Sequence, residues 1–391
     1  MSDASILVLN AGSSSIKFNL FEGARPTVAG QISGLGARPH ITAHHLEGDF
    51  RVENRDLDAR EGASHESALA TFLALLDEFS HDTHVDAIGH RVVHGGPAFS
   101  DPMVIDDALL TTLAAFNPLA PLHQPHNLSG IEAARAAFPD ALQVACFDTA
   151  FHRSHPWVND TFALPRSFYA EGVRRYGFHG LSYEYICAHL REDHPDHYAG
   201  RLIVAHLGNG SSICAIRDGA SIASTMGFTA LDGLPMGTRC GQLDPGVVLY
   251  LMSEKGLSAD AISDLLYKDS GLKGLSGLTQ DMRDLLASDS PDAAGAIDYY
   301  VHRVKREVGA MAAALGGVDT IVFTGGIGEH AAEIRRRICD DLGWLGADLD
   351  PEANAASAQE FSRAGSRVCL MRLVTNEEEM IRRHTARLLA R

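Results

Sequence analysis

The stretch Ile6-Leu7-Val8-Leu9-Asn10-Ala11-Gly12-Ser13-Ser14-Ser15-Ile16-Lys17-Phe18-Asn19-Leu20-Phe21 decides the fold. Apolar, largely β-favouring residues flank its centre, so strands are expected over 6–10 and 16–21. The residues between them are small and mostly polar, which predicts a tight turn. A plain hairpin is one reading. The other is an anion-binding turn, because backbone N–H groups of a Gly/Ser turn converge on one concavity. Serine hydroxyls would add donors and Lys17 a charge. GxxxxGK followed by Ser or Thr occurs nowhere, so this is not a P-loop.

About 200 residues later the pattern returns as AHLGNGSSICAI, residues 205–216. Strands are expected over 202–206 and 213–216, again about a Gly-Ser turn. Either two unrelated hairpins look alike, or a domain is duplicated and each copy brings its own phosphate turn. At roughly 100–200 residues per domain, 391 residues make two or three domains. Helical spacing marks 66–79, 298–315, 331–342 and 377–389. Further strands are expected over 87–93, 142–147 and 320–323. Strands interleaved with helices argue for α/β layers.

A formal charge of -17 argues against a nucleic-acid or anionic-membrane surface. Six cysteines, spread out and without CxxC, fit the reduced thiols of cytosol. The first residues, MSDASILVL, lack the basic region of a signal peptide. The longest apolar run, 308–315, falls short of the roughly 18–20 residues of a membrane span. A soluble cytoplasmic protein is expected.

A third glycine cluster, Thr324-Gly325-Gly326-Ile327-Gly328-Glu329-His330, follows the strand TIVF and is expected to lead as a loop into a helix, an anion-favouring place. It also mimics a dinucleotide fingerprint, but Trp344–Leu349 makes a poor second strand, so a dehydrogenase reading is set aside. Arg91 in GHRVVHGG and Arg239 in MGTRCG sit in glycine-walled segments. Such placement suits a phosphate or carboxylate fork better than a solvated face. Asp148 in FDTAFH stands after a strand, where a helix N-cap is the plain alternative. His179, between aromatics and glycine in RYGFHG, reads by itself as a structural histidine. The acidic run Glu377-Glu378-Glu379 serves the dipole of the last helix without any metal. His123-x-x-His126 and His152-x-x-His155 lack a third ligand for a metal.

In order, NAGSSSIKF, GHRVVHGG, APLHQPHN, FDTAFH, RYGFHG, HLGNGSS, MGTRCGQLDPG, DMR, TGGIGE and TNEE run the length of the chain. Together they resemble the acetate and propionate kinase family. That resemblance implies two duplicated ribonuclease-H-like domains of the actin and sugar-kinase type, with ATP in an interdomain cleft. The expected division is 1–149, joined by the C-terminal helix 375–391, for acyl substrate and phosphate, and 150–374 for nucleotide. It implies reversible transfer of the γ-phosphoryl group of ATP to acetate, in a homodimer. Asn10 and Glu377 would hold Mg²⁺ (or Mn²⁺). Ser13, Ser15 and Lys17 would lie along the phosphate path. Arg91 would bind the acetate carboxylate, with Val93, Leu122, His123 and Phe178 around it. Asp148, His179 and Arg239 would be catalytic. ATP or ADP would lie against His206, Leu207, Gly208, Asn209 and Gly210, then Asp281, Met282 and Arg283, and finally Gly326, Ile327, Gly328, Glu329 and His330.

A carboxylate substrate is already ionised at neutral pH, so Asp148 is expected to orient Arg91 or the metal rather than take a proton. Some positions depart from the family pattern: Pro97 after HGG, Ala230-Leu231-Asp232 before the MGTR loop, Tyr183 for a frequent histidine, and His330 for a common asparagine. Ala230 would border the acyl pocket and put strict acetate preference in doubt. None of these is expected to touch the cationic clamp. A propionate kinase is the near alternative, and a nucleotide-gated ATPase without an acceptor the remote one.

Overall fold

The computed structural model describes residues 4–11, 15–35, 38–46, 51–58, 60–62, 64–79, 84–120 and 123–391. The chain divides into Met1–Ala150 with Asn376–Arg391, and Phe151–Thr375. Each unit is built on one sheet.

In the first unit the strands are β1 (Ser5–Ala11), β2 (Ser15–Glu22), β3 (Arg25–Ser33), β4 (His40–His45), β5 (Arg51–Asp56), β6 (Ala87–Val92), β7 (Met103–Val104) and β8 (Leu142–Phe147). Their spatial order is β5-β4-β3-β2-β1-β6-β8-β7. β1 pairs antiparallel with β2 and parallel with β6, and β6 pairs parallel with β8. The second unit holds β9 (Arg201–Leu207), β10 (Ser211–Arg217), β11 (Ala220–Ser224), β12 (Thr320–Thr324) and β13 (Cys369–Arg372), in the order β11-β10-β9-β12-β13. Here too the first three are antiparallel and β9, β12 and β13 are parallel. The run β3-β2-β1-β6-β8 thus repeats strand for strand, as duplication requires.

Both sheets are covered on two faces, which explains their nearly continuous apolar strands. Leu7, Leu9 and Ala11 of β1 join a cluster with Ala68, Leu69 and Phe72 of the helix His65–Phe79. Ile6 and Val8, equally buried, alternate to the other face. The helix Glu377–Leu389 packs against β1, β6 and β8. In the second unit Ile203, Ala205 and Leu207 of β9 face the long helix Pro291–Leu315, while Leu202 and Val204 meet Tyr183, Ile186 and Leu190 of the helix Gly180–Asp193.

Three sequence expectations need correction. The long helix begins at Pro291, not Asp298, because the Ser290 side chain accepts from Asp292 N–H and Pro291 presets the first turn. The third glycine cluster is no loop: Gly325–His330 is itself helical, and the next helix, Ala332–Cys339, ends short of Leu342. Glu329 turns back on that first turn and accepts from Gly325 N–H (2.9 Å) and Thr324 Oγ1 (3.2 Å), closing it. The strands β3, β4 and β5 carry no clean apolar alternation, β5 being exposed along most of its length, and had no period to read.

Candidate functional site

In the first unit, the parallel strands β1, β6 and β8 bring their carboxyl ends side by side, the usual place for a site in such sheets. Asn10 lies near the end of β1, Arg91 near the end of β6, and Asp148 directly after β8. The Arg91 guanidinium donates to Asp148 Oδ2 and, at 3.4 Å, to Asn10 Oδ1. Asp148 is thus a partner of Arg91, not a helix cap. Burial works against the charge on Arg91, yet Asp148 and Glu377 hold its pKa above the ordinary value. Two buried atoms here have no hydrogen-bond partner, Arg91 Nε and Asp148 Oδ1.

Glu377 opens the last helix beside them. Burial pushes its carboxyl upward, Asp148 and Glu378 push the same way, and Arg91 and Lys17 oppose. Hard oxygen donors, two repelling carboxylates and an unsatisfied carboxylate oxygen suit a small divalent cation such as magnesium. Lys17 is exposed on β2 across from Asn10, and Ser15 opens that strand. Ser13 and Leu122 lie outside the described residues.

Sequence reasoning passed over Gln124 and Asn127. Both are buried on the helix Gln124–Ala137. Asn127 accepts from Val93 N–H (2.9 Å) and donates to Ala11 C=O (2.6 Å). Gln124 accepts from His94 N–H (3.2 Å) and donates to its C=O (3.0 Å). These amides tie the turn after Arg91 to the end of β1. The only signal was their place in QPHN, behind the apolar APL. His123 stands at the N-cap position of that helix, and its side chain makes no capping bond.

The second unit gathers the other candidate groups. His179 precedes the helix Gly180–Asp193 in the left-handed region (φ 59°), a conformation that costs a side chain energy and clusters at functional sites. Its Nδ1 pairs with Ser212 Oγ at 2.8 Å, and Ser212 pairs in turn with the Tyr183 hydroxyl. The His179 ring stacks on His206, 4.3 Å between centroids, and Ser182 Oγ pairs with His206 Nδ1 at 2.8 Å. Arg239 Nη1 donates to Ala230 C=O at 2.8 Å. A Cβ built on Gly210 would lie 3.1 Å from His179 Nε2 and 3.2 Å from Arg239 Nη2, so both side chains converge on the Gly-Ser turn before β10. Phe178 is buried, and its C=O accepts from His152 Nε2. Of the positions that depart from the family pattern, Ala230 meets Arg239 through its backbone C=O, and Tyr183 reaches His179 only through Ser212.

Beside this lies a cavity of about 700 Å³, within the range of small-molecule sites. It brings together Gly208, Asn209, Asp281, Met282, Arg283, Gly326, Ile327 and His330 from three distant motifs, and adds Gln280, Leu286 and Ala331. Leu207, Gly328 and Glu329 stand behind it. Leu207 is in the core, and Gly328 C=O accepts from Arg335. Gly325 has φ 75°, and a Cβ there would meet Leu207 C=O at 2.8 Å, so only glycine lets the first turn seat on β9. Asp281 caps the helix Met282–Leu286, and the Arg283 side chain holds its carboxyl down at about 2.

Comparison with known proteins gives a consistent result. The model of the acetokinase family matches residues 5–383. A protein named acetate kinase from Methylocella silvestris is 55% identical, with 98% of each chain covered. One of that name from Rhodopseudomonas palustris is 53% identical over 99% of each. Among solved structures, a propionate kinase from Francisella tularensis superposes with a TM-score of 0.91 at 36% identity, covering 98% of this chain and 99% of that one. Porphyromonas gingivalis acetate kinase gives 0.88 at 38%, covering 99% and 100%. With the family pattern matched from end to end and relatives more than half identical, this chain belongs to the acetokinase family.

Proposed function

We propose that this protein is an acetate kinase, transferring the γ-phosphoryl group of ATP reversibly to acetate to give acetyl phosphate and ADP. One observation carries the acceptor side: Arg91, oriented by Asp148 at the carboxyl end of β6, is an anion fork in a different unit from the nucleotide-sized cavity. An ATPase without an acceptor has no use for it.

An acetate oxygen attacks the γ-phosphorus in line. One O–P bond forms, the bond to the β-bridging oxygen breaks, and charge spreads over three equatorial oxygens. Arg91 takes the acetate carboxylate, and Asp148 fixes the fork. Val93, two residues beyond Arg91, bounds the methyl group. Arg239 supplies positive charge, and His179 a ring nitrogen, where negative charge develops, in a geometry set before the reaction by Ser212, Tyr183 and Ala230. Acetate reacts as its anion, so no group here needs to accept a proton. The adenine nucleotide lies in the cavity lined by Asn209, Arg283, Ile327 and His330, its phosphates toward Gly210. Asn10 and Glu377, with Asp148 Oδ1, are the residues that would hold magnesium, which when bound neutralises phosphate charge.

The helix Pro245–Ser253 exposes Val247, Leu249, Tyr250 and Met252 and buries none of its residues. Such a face supports the homodimer reading. Among the described residues no helix is long and apolar enough to cross a membrane, and we infer a cytoplasmic enzyme. Propionate is the second acceptor to consider, given Ala230 beside Arg239 and the likeness to the Francisella structure. The test is to trap acyl phosphate as hydroxamate with acetate, propionate and butyrate in parallel, with ATP and Mg²⁺. The largest kcat/KM is expected for acetate. No hydroxamate from any acid would overturn the kinase reading.

A further inference from the structure

A cluster remote from the catalytic residues has the chemistry of a metal site. In the second unit a ring nitrogen of His197, a carboxylate oxygen of Glu360 and Sγ of Cys369 all lie within 4.8 Å of one another. They come from three places in the chain. His197 is on the short helix Pro195–Tyr198, Cys369 is the first residue of β13, and Glu360 bridges antiparallel to Met371 of that strand. Cys369 and Met371 share a face of β13, and the bridge sets Glu360 on the same face.

Each side chain is held by a neighbour. His197 Nδ1 pairs with Thr320 Oγ1 at 3.0 Å, and Thr320 is the residue directly across from Cys369 in the ladder. Ser362 Oγ donates to Glu360 Oε1 at 3.1 Å and stands 3.9 Å from Cys369 Sγ. Oriented imidazole and hydrogen-bonded carboxylate are what metal ligands usually have behind them.

We propose that His197, Glu360 and Cys369 form a zinc-type site with one open position. A thiolate with an imidazole selects Zn²⁺ or Co²⁺ over Mg²⁺ or Ca²⁺. Tetrahedral bonds of 2.0–2.3 Å place donors roughly 3.3–3.8 Å apart, so small rotamer changes close the set. On binding, the Cys369 thiol loses its proton to solvent and the ion loses three waters. The site pins the starts of β12 and β13 to the helix Pro195–Tyr198. β12 ends at Thr324, roughly 13 Å further on, before the nucleotide cavity. The ion therefore stabilises the second unit and takes no part in phosphoryl transfer.

The experiment is a titration of the whole enzyme with Co²⁺ and with Zn²⁺, without nucleotide and with Mg²⁺ in excess. One equivalent of Co²⁺ is expected to give a thiolate-to-cobalt charge-transfer band, abolished in Cys369→Ser and weakened at least tenfold in affinity in His197→Gln and Glu360→Gln. Zinc at a hundredfold excess over Kd should raise Tm by about 5–10 °C. It should also protect Cys369 from a thiol reagent, read by peptide mapping, with kcat of the Cys369→Ser enzyme unchanged. A band that persists in Cys369→Ser, or only weak unsaturable uptake, would overturn the site.

Discussion

Arg91 donates to one oxygen of Asp148, while the other, equally buried, has no hydrogen-bond partner. The carboxylate is thus half committed to orienting a cation and half open. Nothing in that arrangement asks it to take a proton. Asp148→Asn should lower kcat/KM for acetate by about 10²–10³, the scale of breaking a buried pair. The acid limb of the pH–rate profile, where a general base would be lost to protonation, should survive. A variant that loses that limb while still binding acetate would make Asp148 a base after all.

Arg91→Ala acts on the other half of the pair. It should mainly raise KM for the acyl acid, and an unchanged KM removes Arg91 from the carboxylate site.

Arg239 is held by Ala230 C=O and faces Gly210. Arg239→Ala should cost about 10³–10⁵ in kcat, as loss of a cationic clamp does. A drop below tenfold would sink its role. The milder Gly210→Ala should displace both His179 and Arg239 by a few tenths of an ångström, lowering kcat more than it raises KM for ATP.

Tyr183 reaches His179 only through Ser212. Tyr183→Phe removes one hydrogen bond, worth about 0.5–1.5 kcal/mol, so kcat should fall roughly two- to tenfold with KM for ATP unmoved. Equal losses in kcat and thermal stability, restored by no histidine at this position, would mean that Tyr183 only packs.

Acid should weaken the second unit. His152 Nε2 donates to Phe178 C=O, so its Nδ1 accepts from the Ser221 hydroxyl, which in turn accepts from His155 Nε2. Both rings are neutral in this chain of bonds. Burial lowers His152 to about 3, and burial with the neighbouring His152 and Arg153 lowers His155 to about 2. The unfolded chain, with imidazoles near 6.5, binds more protons below that pH, so stability is full above it and falls as pH drops toward the folded values. For two histidines the loss between pH 7 and 5.5 is about 2.5 kcal/mol. Thermal unfolding of wild type and His155→Gln across that range checks it, and equal pH slopes would refute it.

Some of this is legible in the sequence. The two strand–turn–strand segments left duplication open beside chance likeness, because a β period and a Gly-Ser turn are local. The long helix was legible in its apolar stripe but not in its start, since a Ser-Pro cap has no stripe. The first-sheet edge strands were invisible, because exposed ladder partners need no apolar code. Within the site, arginines in glycine-walled segments were legible as candidates. Asn127, Gln124 and Ser212 were not: an amide or hydroxyl looks alike in a loop and in a buried bond.

By itself, then, the sequence determined the kinds of groups present: the β-turn-β pairs, the cations, the oxygen donors at Asn10 and Glu377, and the family. Only the tertiary structure decided what each group faces. Parallel pairing of β1, β6 and β8 sets Arg91 against Asp148 across 57 positions of chain. The fold of the second unit turns His179 and Arg239 onto Gly210, and brings His197, Glu360 and Cys369 within reach of one ion. Such contacts join residues far apart in sequence, and local chemistry carries no record of which distant partner the fold supplies.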